Sequence, residues 1–183
     1  MKRTNLVFFI LTVLMAVSFT SCQKIEVTLT DVSFVVNVNV EELTTKDSGV
    51  AFGGSGIIDP SSSPELADYL DLIHHVEITE VKIKVISAEP ATGLELNDVY
   101  FSLTDNVNQD NFTYEITSPR PIAVGTEFII DSNSPNFNVV SDIINDLHEA
   151  TVGIDGHVNQ AGFVLGFEYA VKANITVGVP SGK

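Results

Sequence analysis

Cysteine occurs once in these 183 residues, tryptophan not at all, and lysine plus arginine number 9 against 24 aspartates and glutamates. Each shortage excludes something. One cysteine cannot close an intramolecular disulfide, so the fold has to be held by its core. No tryptophan and four tyrosines leave few broad aromatic faces of the kind on which sugar rings stack, which speaks against carbohydrate recognition. A formal net charge of −15 repels phosphate backbones and anionic headgroups. Nucleic acid is therefore not an expected partner, and the polar surface is not expected to lie flat on a membrane. A spanning segment is missing as well. The longest apolar run, Leu6 to Val17, is interrupted only by Thr12 and covers about 18 Å of a roughly 30 Å hydrocarbon core.

That run still has a use. Lys2 and Arg3 precede it, and Ser18-Phe19-Thr20-Ser21 lead from it into Cys22, which is the layout of an export signal. The segment Phe19 to Cys22 resembles the lipobox of bacterial lipoproteins, with Phe19 where that family usually has an aliphatic residue. The resemblance implies cleavage before Cys22 and acylation of its thiol, palmitate being one such chain, and hence a protein anchored in the cell envelope at the outer membrane. More than one acyl chain makes such anchoring stable. Ordinary signal-peptidase cleavage after Ala16-Val17-Ser18 is the competing reading, and it would release a soluble protein with an unpaired thiol. The expected organisation is a signal peptide over 1–21, the lipidated cysteine and a short tether over 22–24, and a single domain over 25–183. Removing Lys2 and Arg3 with the signal takes the charge from −15 to −17.

The domain reads as mainly β, an antiparallel sandwich-like fold with two short helices. From Ile25 the apolar positions alternate as Ile25, Val27, Leu29, then change phase to Val32, Phe34, Val36, Val38, Val40, the mark of a bulge or bend. Val76, Ile78, Val81, Ile83 and Val85 change phase near Glu80. The longest alternation, Phe163 to Val179, spans roughly 55 Å as one strand and predicts a bend at Gly166 or Gly178 or a passage between sheets. Shorter strands are expected at Val99 to Leu103, Phe112 to Ile116, Glu127 to Ile130 and Thr151 to Val158.

Ser63 before Pro64 is a helix start, followed by Leu66, Tyr69, Leu70 and Ile73 at helical spacing. Ser134 and Pro135 repeat it ahead of Val140, Ile143, Ile144 and Leu147. Ile57-Ile58-Asp59 precedes the first start and Ile129-Ile130-Asp131 the second. A duplicated strand-helix-strand unit or chance recurrence of common terminators both explain this. The expected core comprises Phe34, Val36, Val38, Leu66, Leu70, Ile83, Val85, Ile144, Leu147, Phe167, Tyr169 and Val171.

The chemistry is sparse. Gly53-Gly54-Ser55-Gly56 lacks the final glycine of a nucleophile elbow, where Ile57 stands, and no Gly-Lys-Ser/Thr follows to make a phosphate loop. It reads as a mobile connection. His74, His75, His148 and His157 lack zinc spacing, and His74 and His148 suit the negative ends of the two helices. Asp105 to Asn111 packs oxygen donors closely, with Asp105, Asn108 and Asp110 as candidate calcium ligands, and Asp131, Asn133, Asn136 and Asn138 repeat this less closely. The structural alternative is a hairpin loop, since Asn and Asp bond their own backbone. No nucleophile, base and orienting group converge, so an enzyme is not expected, and no cofactor is expected beyond that calcium possibility. Two functions remain. One is a non-enzymatic anchored module making structural, adhesive or accessory contacts with a protein partner. The other is a hydrophobic-ligand domain holding a lipid in an apolar cavity, which would need about 300 Å³ or more.

Overall fold

The computed structural model describes residues 25–179, except 47–48, 65, 67 and 145–148. Nine strands follow in chain order: β1 (Ile25–Lys46), β2 (Gly49–Ile58), β3 (Ile73–Glu89), β4 (Glu95–Asp105), β5 (Asn111–Ile116), β6 (Arg120–Pro121), β7 (Glu127–Asp131), β8 (Ala150–Val158) and β9 (Val164–Val179). Among the described residues an α-helix, α1 (Phe137–Ile144), lies between β7 and β8. The ladder order is β5-β4-β8-β2-β1-β9-β3-β7, with the short β6 added to β4. All pairings are antiparallel.

Two four-stranded layers result, β5-β4-β8-β2 and β1-β9-β3-β7; leaving aside the short β6, which adds to β4, every connection except the β4–β5 hairpin passes from one layer to the other. That interleaving is the jelly-roll order. The layers meet through an aromatic cluster. The Phe101 ring of β4 lies 5.1 Å from Phe128 of β7, 6.3 Å from Phe167 and 6.2 Å from Tyr169 of β9. Such pairs add about 0.5–1.5 kcal/mol each beyond their buried area. The Tyr169 hydroxyl donates to the Gly153 carbonyl of β8, pinning one layer to the other.

The phase changes are bulges. Leu29 pairs with Ile175 and Val32 with Ala173, so β1 spends one residue more than β9 over this interval. Asp31 takes up the excess at φ 59°, a left-handed conformation that Asp tolerates better than most residues. A second shift falls between Ile78 and Glu80 of β3, and a third between Val85 and Ser87 moves the buried position to Ala88. β9 does not change layer. It is paired with β1 on one side and β3 on the other along its length, so no free edge lets it peel off. β1 makes the passage instead, pairing β9 from Ile25 to Val40 and β2 from Glu41 to Lys46.

The glycine-rich segment expected as a mobile connection is the body of β2. Its glycines serve close approach: a Cβ at Gly54 would lie 2.7 Å from the Asn39 carbonyl oxygen, and one at Gly56 would lie 2.9 Å from Val36 Cγ2. Larger residues would hold β1 off β2 just where β1 changes layer.

Of the two expected helices, one is α-helical. After β2, Leu66, Tyr69 and Leu72 each donate from their amides to the carbonyl three residues earlier, which is 3₁₀ geometry. The three-residue spacing carries Leu66 into the core with Tyr69 and Leu72 half-buried, while Leu70 is left exposed. His74 accordingly sits in β3 and not at a helix end. α1 starts after Asn136, which has φ 59°, and Ser134 Oγ accepts from the Asp131 amide instead of capping the helix. Val140 and Ile143 are buried. Of the other expected core residues, Phe34, Val38, Leu66, Ile83, Val85, Phe167, Tyr169 and Val171 are buried and Val36 is half-buried. The side chains of Ile144 and Leu147, together with His148, lie outside the described residues.

Candidate functional site

Three regions were candidates: the oxygen-rich loop, the interior, and the surfaces left open by the strand order. The loop is the tight turn between β4 and β5. Asp105 is buried at its base, and its carboxylate accepts from the Val107 amide at 2.7 Å and from Asn108 Nδ2 at 2.8 Å. The Gln109 amide donates to the Asp105 carbonyl at 3.1 Å, and Asn106 Oδ1 accepts from Thr151 Oγ1 at 2.8 Å. The turn brings Asp105 and Asn108 together by bonding them to each other, with Asp110 exposed on the returning limb. Asp131 does the same at the end of β7, accepting from the Asn133 amide at 2.8 Å, as Asp59 does from Ser61 at 2.9 Å after β2. Among the described residues, no three His, Cys, Asp or Glu side chains are grouped to hold a metal ion.

Among the described residues the apolar space beneath α1 is small. The pocket there, between Val81, Ile83, Leu103, Phe112, Val140 and Val171, amounts to about 10 Å³, room for about one water. Burial pushes the Tyr169 hydroxyl far above its ordinary range, with the nearby Asp155 charge adding to the shift. A proton held so firmly suits a structural pin and not acid–base chemistry.

The outer face of the β4–β8 layer carries His157, whose Nδ1 lies 2.9 Å from Asp98 Oδ1 across the strands. Tyr100 is beside it, its hydroxyl pushed up by a hydrogen bond to Glu115 and by that carboxylate's charge. On the opposite face the Lys172 ammonium lies 2.8 Å from Glu80, which raises its pKa, and Lys82 lies 3.7 Å from Glu127. These are cross-strand pairs on solvated faces, and each contributes at most about 1 kcal/mol.

The remaining feature is a cleft of about 270 Å³ where β1 parts from β2, lined by Ser33, Phe34, Val35, Ile57, Ile58, Asp59, Ser63 and Pro64. Val35 and Ile57 are more than half exposed. None of these was singled out as a site residue from the sequence. The available signal was the uncharged stretch Val32 to Val40, which reads simply as a strand until the strand order shows that one of its edges is open.

Cys22 lies outside the described residues. Among those described, no helix is long and apolar enough to cross a membrane. No family model and no curated protein matches the chain. Among solved structures, a chain of desmodium yellow mottle tymovirus aligns at 12% identity and a TM-score of 0.39, covering 88% of this chain and 92% of that one. A chain of turnip yellow mosaic virus aligns at 8% identity and a TM-score of 0.37, covering 88% of this chain and 98% of that one.

Proposed function

We propose that this chain is an exported module, anchored in the cell envelope through a lipidated Cys22, that works by surface contact with other macromolecules and not by catalysis. The observation that carries the contact reading is the small apolar pocket beneath α1. Its volume of about 10 Å³ falls far below the roughly 300 Å³ that a hydrophobic ligand needs, and the larger cleft between β1 and β2 has Ser33, Asp59 and Ser63 in its lining. The anchor rests on the basic start, the apolar run and the solitary cysteine behind Phe19-Thr20-Ser21. With strand β1 beginning at Ile25, the domain would be held close to the bilayer.

Cell fractionation tests the anchor. Cys22→Ala should move the protein from the detergent phase to the aqueous phase, since the acyl chains supply the membrane affinity. Retention of the alanine variant in the membrane would refute it. Mass spectrometry of an organic extract tests the contact reading. A stoichiometric lipid beyond the covalent anchor would restore the ligand-binding alternative.

A further inference from the structure

Among the described residues, the cleft between β1 and β2 is bounded by two strand edges without a ladder partner. From Ile25 to Val40 β1 is laddered to β9 alone, and from Gly54 to Ile58 β2 is laddered to β8 alone. Edge strands are usually blunted by charges, prolines or bulges, because their free amides and carbonyls template pairing with another chain. The edges at β5 and β7 carry Glu115, and Glu127 with Asp131, respectively. The stretch from Val32 to Val40 contains no charged residue and no proline, nor does Gly54 to Ile58, although 18% of the chain is charged. The Asp31 bulge lies before the first of them. β1 packs closely on Gly54 and Gly56 from Val36 to Val40, and the two strands part around Ser33 to Val35 and Ile57 to Asp59, where Phe34 and Ile58 lie on the inner side of the cleft and Val35 and Ile57 at its rim.

We propose that this cleft receives an extended segment of a partner protein, added as a strand to the edge of β1. Its alternate apolar side chains would lie against Val35 and Ile57. Main-chain pairing would supply affinity and the rim side chains selectivity, the usual division in strand addition. A second folded copy is the poorer occupant, because an edge strand arrives attached to its own sheet and the cleft is walled on both sides. Two domains of −17 charge also repel. The same charge favours a segment with basic flanks, by steering and by complementarity.

The proposal deepens the contact reading and rests on it, and its test is separable from that of the anchor. The probe is a synthetic Lys-Val-Thr-Val-Thr-Val-Lys peptide, titrated onto the full-length chain in detergent micelles. Binding should be saturable and should slow amide hydrogen exchange in residues 33–35 and 57–59. Val35→Lys with Ile57→Lys should weaken binding at least tenfold, while Ile129→Lys on the β7 edge should leave it unchanged. Val35 and Ile57 are exposed, so the double variant should keep its circular dichroism. Should it misfold, the exchange pattern of the wild-type chain decides alone. Equal binding by a folded double variant, or protection at β5 or β7, would overturn the proposal. So would a concentration-dependent dimer abolished by the double variant, which would assign the cleft to a second copy. Loss of peptide binding with membrane retention intact would remove the cleft and leave the anchor standing.

Discussion

Single residues hold this sandwich at points where two layers or two strands come close. Tyr169 is the plainest case, a buried phenol bonded across the core to the Gly153 carbonyl. Below about pH 10 the phenol is protonated both folded and unfolded, so it contributes no pH dependence. Above that the unfolded chain gives up its proton first, because the folded hydroxyl is raised. Stability should then fall by about 1.4 kcal/mol per pH unit from this group alone. Tyr169→Phe should lose about 1–3 kcal/mol at pH 7, from the carbonyl left without its donor. The variant should also show a shallower alkaline decline, measured by urea unfolding at pH 9 and pH 11; parallel declines would refute this role. Tyr169 was legible in the sequence as a core residue from its place in the β9 alternation. Its partner was not, since a bond from β9 to β8 depends on which strands face one another.

At the scale of elements, the two phase changes near Asp31 and Glu80 were readable because a bulge leaves an odd interval between inward-facing residues. The β1 bulge supplies a sharp test. Deleting Asp31 leaves Leu29 opposite Ile175 and Val32 opposite Ala173 and turns the strand into one regular alternation. The deletion variant should fold, with a stability change of no more than about 2 kcal/mol. Deleting Asn37 removes one residue from a regular stretch and sets Phe34 and Val38, both buried, out of phase. With about 1.5–3 kcal/mol lost for each core side chain turned outward, that variant should be unfolded by circular dichroism. Equal tolerance of both deletions would mean that register is not set by burial. The segment after β2, expected as a short helix, takes 3₁₀ geometry, since spacings of three and four overlap there. Leu66, Tyr69 and Leu72 satisfy the tighter period, and the short path to β3 leaves Leu70 outside.

The whole molecule carries an excess of acid that its few cross-strand pairs do not neutralise. Self-repulsion of this kind destabilises the compact state. Raising NaCl from about 10 mM to about 150 mM shortens the screening length from roughly 30 Å to about 8 Å. The melting temperature should rise by a few degrees over that range. A fall would show that the attractive pairs Lys172–Glu80 and Lys82–Glu127 outweigh the repulsion.

The sequence by itself determined the β class, the inward faces of β1, β3 and β9, the bulges and the helix ahead of β8. All of these follow from periodicity along a single strand or turn, which is local information. The basic start, the apolar run and the lone cysteine on which the proposed anchor rests are composition and order. Only the tertiary structure decided that β1 and not β9 passes between layers, and that the glycine-rich segment is a strand packed close against β1. The small pocket beneath α1 and the cleft between β1 and β2 were likewise settled there. Each of these depends on which strands become neighbours. A period of two fixes which face of a strand is apolar and leaves unstated what lies beside its edges.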